Sequence, residues 1–75
     1  MKSERHEHLR NLERIGEAHY DAMYETSSPI GEYANAKDAF NDAIALAREL
    51  GETETVKRLE ARLAHIKAVF RSQFS

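Results

Sequence analysis

The only proline of the chain, Pro29, follows two serines, and Gly51 follows Arg48-Glu49-Leu50. These two points divide 75 residues into three arms of about twenty each. Proline just inside a helix start gives up an N–H that has no partner there, and a preceding serine can cap the next amides. Ser28 therefore reads as the N-cap and Pro29 as the first residue of a second helix. A glycine after a helical run adopts the left-handed conformation that closes a helix without a Cβ clash. Thr53, followed by Glu54, then caps a third helix. The predicted helices span about 4–26, 29–50 and 54–73.

Periodicity supports this division. In the second arm Tyr33, Ala36, Phe40, Ala43, Ala47 and Leu50 recur at three- and four-residue steps, with Ile44 widening the stripe. Val56, Leu59, Leu63, Ile66, Phe70 and then Gln73 or Phe74 do the same in the third. In the first arm Leu9, Leu12, Ile15, Ala18, Ala22 and Met23 form a stripe that Gly16 and His19 interrupt. That arm is expected to dock last or to borrow support from a partner. β-Branched residues never cluster and no alternating run occurs, so strands are not expected. The fold class is all-α: one domain over residues 1–75, a three-helix antiparallel bundle.

The chain has no cysteine, so neither disulfides nor thiolate metal sites can staple it. A core this small is marginal, and pairing with a second chain is one remedy. Eleven basic against 13 acidic residues give a formal charge of -2, which does not mark a dedicated nucleic-acid binder. No apolar run approaches a membrane span, and Met1-Lys2-Ser3-Glu4-Arg5-His6 leads into charge rather than a secretory apolar stretch. A cytoplasmic location, with no membrane, is the default expectation.

The spacing Leu12-x2-Ile15-Gly16-x2-His19-Tyr20, then Gly31-Glu32-Tyr33-x2-Ala36-x3-Phe40-x2-Ala43-x2-Leu46, resembles one tetratricopeptide repeat over residues 12–46. In that family W-x2-L-G-x2-Y and A-x3-F mark two antiparallel helices whose small residues permit close contact. Here Leu12 stands at the tryptophan position and His19, or Tyr20, at the tyrosine. The 16 residues between His19 and Ala36 exceed the family spacing, and there is a single copy. The resemblance implies a TPR-like helical hairpin with a third packing helix, acting as a protein- or peptide-binding module. Its first helix would line the concave face with Glu13, Glu17, Tyr20 and Asp21, acidic enough to suit a basic partner.

Other constellations are weaker. His6 and His8 sit about 200° apart on a helix and cannot chelate one ion from a regular backbone. His19 reads as a partly buried residue bonded to a neighbour, and His65 as a flank of the apolar seam. No metal, no cofactor and no catalytic residue is expected. His6-Glu7-x-x-Arg10 lacks the second ligand of a zinc motif, and no Ser-His-Asp set or phosphate loop occurs. The expectation is a non-enzymatic, adaptor-like or regulatory domain that recognises a protein, or a second copy of itself as a homodimer, through a helix surface.

Charge is unevenly shared. Residues 1–50 carry six basic and ten acidic side chains, and residues 51–75 five basic and three acidic. A nucleic-acid-associated regulator using Arg58, Arg62, Lys67 and Arg71 is the alternative, with nucleic acid the disfavoured partner. The favoured account lays the basic third helix against the acidic first helix of the same or a second chain, in an ordered antiparallel arrangement. Tyr20, Tyr24 and Phe74 are the apolar groups hardest to place in a three-helix core. Exposed aromatics of that kind serve as interface anchors, which adds Tyr24 to the partner-binding set.

Overall fold

In a computed structural model, residues 4–74 are described and form helices α1 (Glu4–Ala22), α2 (Pro29–Glu49) and α3 (Thr53–Gln73). Met1-Lys2-Ser3, read above as a charged lead-in, lies outside the described residues. No strand occurs among the described residues, and none of the helices is long and apolar enough to cross a membrane.

The second punctuation mark behaves as its sequence predicts. Gly51 has φ +73°, its N–H bonds to the Arg48 carbonyl at 3.1 Å, and the Glu52 N–H bonds to the Ala47 carbonyl at 2.9 Å. Those two bonds are the paired closure of a helix by a left-handed glycine. Three boundary expectations are corrected. Glu52, not Thr53, is the N-cap of α3. Ser28 does occupy the N-cap of α2 but makes no capping bond through its side chain. Helix α1 stops at Ala22 rather than near residue 26, because the chain tightens through Tyr24 N–H to the Asp21 carbonyl and Glu25 N–H to the Ala22 carbonyl. Thr26 then accepts the Ser28 N–H on its hydroxyl, an alternative to continuing the helix.

Helix α2 lies between the other two. Phe40, Ala36, Ala43 and Ala47 are fully buried, with Ala39, Ile44 and Leu46 nearly so. Helix α3 contributes Leu59, Leu63 and Ile66, α1 contributes Leu9 and Tyr20, and Met23 packs in from the turn that follows α1. Gly16 faces Phe40 so closely that a Cβ built on it would stand 2.6 Å from the ring. The α1–α2 interface is the larger of the two, so α1 is not the weakly docked arm that its sequence suggested. Its buried face runs through Leu9, Gly16 and Tyr20 and leaves Ile15 and Ala18 exposed, rotated from the stripe read above.

Cross-helix pairs give the directions. Gly16 with Phe40 and His19 with Glu32 set α1 antiparallel to α2, while Tyr33 with Phe70 and Arg48 with Glu60 set α3 antiparallel to α2. Helices α1 and α3 therefore run parallel, correcting the antiparallel order inferred from charge. Their backbones stay apart along most of their length. Charged side chains bridge that gap.

Candidate interaction surface

The bridge is a ladder of paired side chains. His6 Nε2 lies 3.1 Å from Glu52 Oε2, Arg58 grips Glu13, and Arg62 grips Glu17. Arg58 donates through both terminal nitrogens, one to Glu13 Oε1 at 3.2 Å. Arg62 donates Nε and Nη2 to the two oxygens of Glu17 at 2.7 and 2.8 Å, the two-pronged geometry that guanidinium and carboxylate share. The two arginine pairs share a register because two parallel helices of equal rise keep residues 45 apart side by side, while His6 and Glu52, 46 apart, close the start of the seam. Each pair holds its arginine above its ordinary pKa, chiefly through the bond to Glu13 for Arg58 and to Glu17 for Arg62. With Arg58 57 % and Arg62 37 % exposed, each pair contributes at most about 1 kcal/mol.

This ladder brings the two candidate sets face to face. Glu13 and Glu17, expected to receive a basic partner, are engaged by Arg58 and Arg62, expected to receive nucleic acid. Lys67 and Arg71 lie farther along α3 with exposed side chains. Asp21 is exposed on the last turn of α1.

Beyond the ladder the aromatic residues gather at one end of the molecule, formed by the ends of α1 and α3 and the start of α2. Tyr33 and Phe70 stack in parallel with centroids 3.9 Å apart, and Phe74 lies 6.0 Å beyond Phe70. Tyr24 meets Phe74 edge-on at 5.4 Å and Tyr20 edge-on at 5.6 Å. Five of the six aromatic side chains, all but Phe40, thus form one chain of contacts. Edge-on pairs exploit the positive rim and negative face of each ring. The negative faces also attract cations: the Arg62 guanidinium lies 5.0 Å from the Tyr20 ring centre and Lys37 Nζ 4.6 Å from that of Tyr33.

The three expected aromatic anchors separate. Tyr20 is only 8 % exposed, so its reading as an exposed anchor is corrected. Arg62 over its face and Tyr24 at its hydroxyl, 3.2 Å away, let it enter the core. That hydrogen bond, and then burial, raise the Tyr20 pKa above the usual tyrosine value. Phe74 is half-buried on Phe70. Tyr24 remains 52 % exposed. Ile30, which sequence reading passed over, is 69 % exposed one turn before Tyr33 on α2, the most open large apolar side chain described. The i, i+3 spacing to Tyr33 was the available signal, hidden by its position directly after Pro29.

The rest of the surface offers little concavity. A shallow groove of about 380 Å³ runs between α2 and α3, with Asn41, Ile44, Leu63, Ala64 and Lys67 along it and the Arg48–Glu60 pair at its rim. His19 Nδ1 is 2.6 Å from Glu32 Oε1, a tie between α1 and α2. Among the described residues no three His, Asp or Glu side chains are placed to hold a metal ion, and no buried side-chain polar atom lacks a partner. The chain matches no family model, and neither a curated protein nor a solved structure is significantly similar to it.

Proposed function

We propose that this chain is a small interaction domain that recognises another protein, or a second copy of itself, through its helix surface and without turnover. The observation that carries the reading is the placement of apolar exposure. The α1–α3 seam is closed by paired charges, whereas Tyr24, edge-on to Phe74, stands open at the aromatic end, and Ile30 stands open one turn before Tyr33. Aromatic side chains left open over an ordered base are what protein interfaces use as anchors. The recognition residues on this reading are Asp21 and Tyr24 of the partner-binding set, joined by Ile30 and Phe74, with Tyr20 bracing Tyr24 and with Glu13 and Glu17 tying α1 to α3. The tetratricopeptide-like character of residues 12–46 belongs to the same proposal. The close approach of α1 and α2 at Gly16 is in keeping with two helices whose small residues permit close contact. The nucleic-acid alternative loses ground because Arg58 and Arg62 already hold carboxylates.

Residue-specific photo-crosslinking in the native cell tests the proposal. Benzoylphenylalanine placed at Tyr24 or Ile30 should give a discrete crosslinked product, and the same group at the exposed Ala45 or Ala61 should not. A product of doubled mass identifies a homodimer. Equal labelling from all four positions, or none from any, refutes the reading.

A further inference from the structure

We infer that the partner presents a cationic side chain, an arginine in the best case, to the ring of Tyr24; this rests on the aromatic end being the recognition surface. The chain itself shows how rings at this end are used. Arg62 covers Tyr20 at 5.0 Å and Lys37 covers Tyr33 at 4.6 Å, so two of the three tyrosines hold a cation. Tyr24 is the third, with half of its surface open.

Its surroundings favour the same kind of guest. The ring is fixed by edge contacts to Tyr20 and Phe74, at interplanar angles of 78° and 69°, and by the hydrogen bond between the two tyrosine hydroxyls. A ring so held loses little freedom when a guest arrives, which is the advantage of a preorganised site. Asp21 lies three residues before Tyr24 and Glu25 one after, both exposed. Their carboxylates add attraction for a cation without making a metal site. Phe74, edge-on to Tyr24, supplies apolar surface for the methylene stem that a long cationic side chain lays down. A guanidinium suits the place better than an ammonium because it is planar, weakly hydrated and stacks on ring faces.

The test uses the whole protein, isotope-labelled, and a capped peptide of three leucine–alanine–arginine repeats. Its counterpart carries citrulline, which keeps the shape of arginine and removes its charge. The arginine peptide should shift the ring resonances of Tyr24 and Phe74, and the citrulline peptide should bind about tenfold more weakly. Tyr24→Phe should retain binding within about threefold, whereas Tyr24→Leu, which stays apolar but loses the ring, should weaken it about fivefold or more. Circular dichroism checks that both variants stay folded. Pairing Asp21→Asn with Glu25→Gln should weaken binding several-fold and flatten its salt dependence. Equal affinity for both peptides, shifts centred away from Tyr24, or no binding at low salt overturns the inference. If crosslinking at Tyr24 still captures a partner in that case, the interaction reading stands and only the cationic anchor falls.

Discussion

Replacing Gly16 by alanine sets two effects of opposite sign against each other, and the structure decides between them. Alanine in mid-helix is favoured over glycine by about 1 kcal/mol, so on propensity alone the substitution should stabilise the protein. The new methyl, however, would stand 2.6, 2.8 and 3.1 Å from Phe40 Cε2, Cδ2 and Cζ. Relaxed carbon contacts need roughly 3.5–4.0 Å, so three ring atoms are too close at once. Phe40 is 0 % exposed and flanked by Ala36, Ala43 and Ala47, also at 0 %, which leaves the ring nowhere to turn. Helices α1 and α2 must part, or the ring must leave its rotamer, at about 1–3 kcal/mol. The net expectation is destabilisation by about 1 kcal/mol, or roughly 4–8 °C in Tm for a chain of this size. Gly31 is the internal control. A Cβ there meets nothing closer than Ser28 Oγ at 4.0 Å, so Gly31→Ala should stabilise by about 0.4–1 kcal/mol. Urea unfolding followed by circular dichroism at 222 nm measures both. A Phe40→Leu background should relieve the clash and turn Gly16→Ala stabilising, with a coupling of about 1 kcal/mol or more. If Gly16→Ala stabilises the native protein as Gly31→Ala does, the close approach of α1 and α2 is wrong.

Gly51→Ala should lose about 1–2 kcal/mol, because φ +73° is costly for any residue with a Cβ even though open space surrounds it, and Gly51→Asn should lose less; urea midpoints rank the three. Leu59→Ala removes a fully buried side chain between α2 and α3 and should cost about 2–4 kcal/mol by the same measurement. A double-mutant cycle on Glu17→Gln and Arg62→Gln should return a coupling near 0.5 kcal/mol in low salt that fades at high salt, since both side chains are more than a third exposed. The Tyr20 hydroxyl should titrate above the ordinary tyrosine value, read from its ring Cζ carbon resonance, and Tyr24→Phe should lower it by removing the first cause of the shift. Because the folded state holds that proton more tightly, its stabilisation is complete below about pH 10 and is lost as pH rises through the raised value.

Fold class was legible because helix punctuation and the three- and four-residue repeat are local properties. Pro29 and Gly51 act through their own backbone, and Leu59, Leu63 and Ile66 bury whichever neighbour they meet. Facing was harder to read, and α1 shows why. A stripe drawn through Ile15 and Ala18 assumes that the face richest in carbon is buried. The buried face instead runs through Gly16, whose lack of a side chain is what lets α1 reach Phe40. Closeness, absent from any hydropathy pattern, decided the rotation, and it also drew Tyr20 into the core. The candidate site was half legible for a different reason. An acidic first helix and a basic third helix each look like an open site when counted separately. Parallel packing puts them in register, so Glu13 meets Arg58 and Glu17 meets Arg62, and the two surpluses spend themselves on each other. What stays open is set by where that ladder ends. Past Arg62 the α1–α3 seam passes from charge to rings: Tyr20 lies edge-on to His65 at 6.4 Å, then Tyr24 to Phe74. Tyr24 thus stands open where the seam is built of rings, whereas Glu13, Glu17, Arg58 and Arg62, which composition alone would select, are engaged with one another.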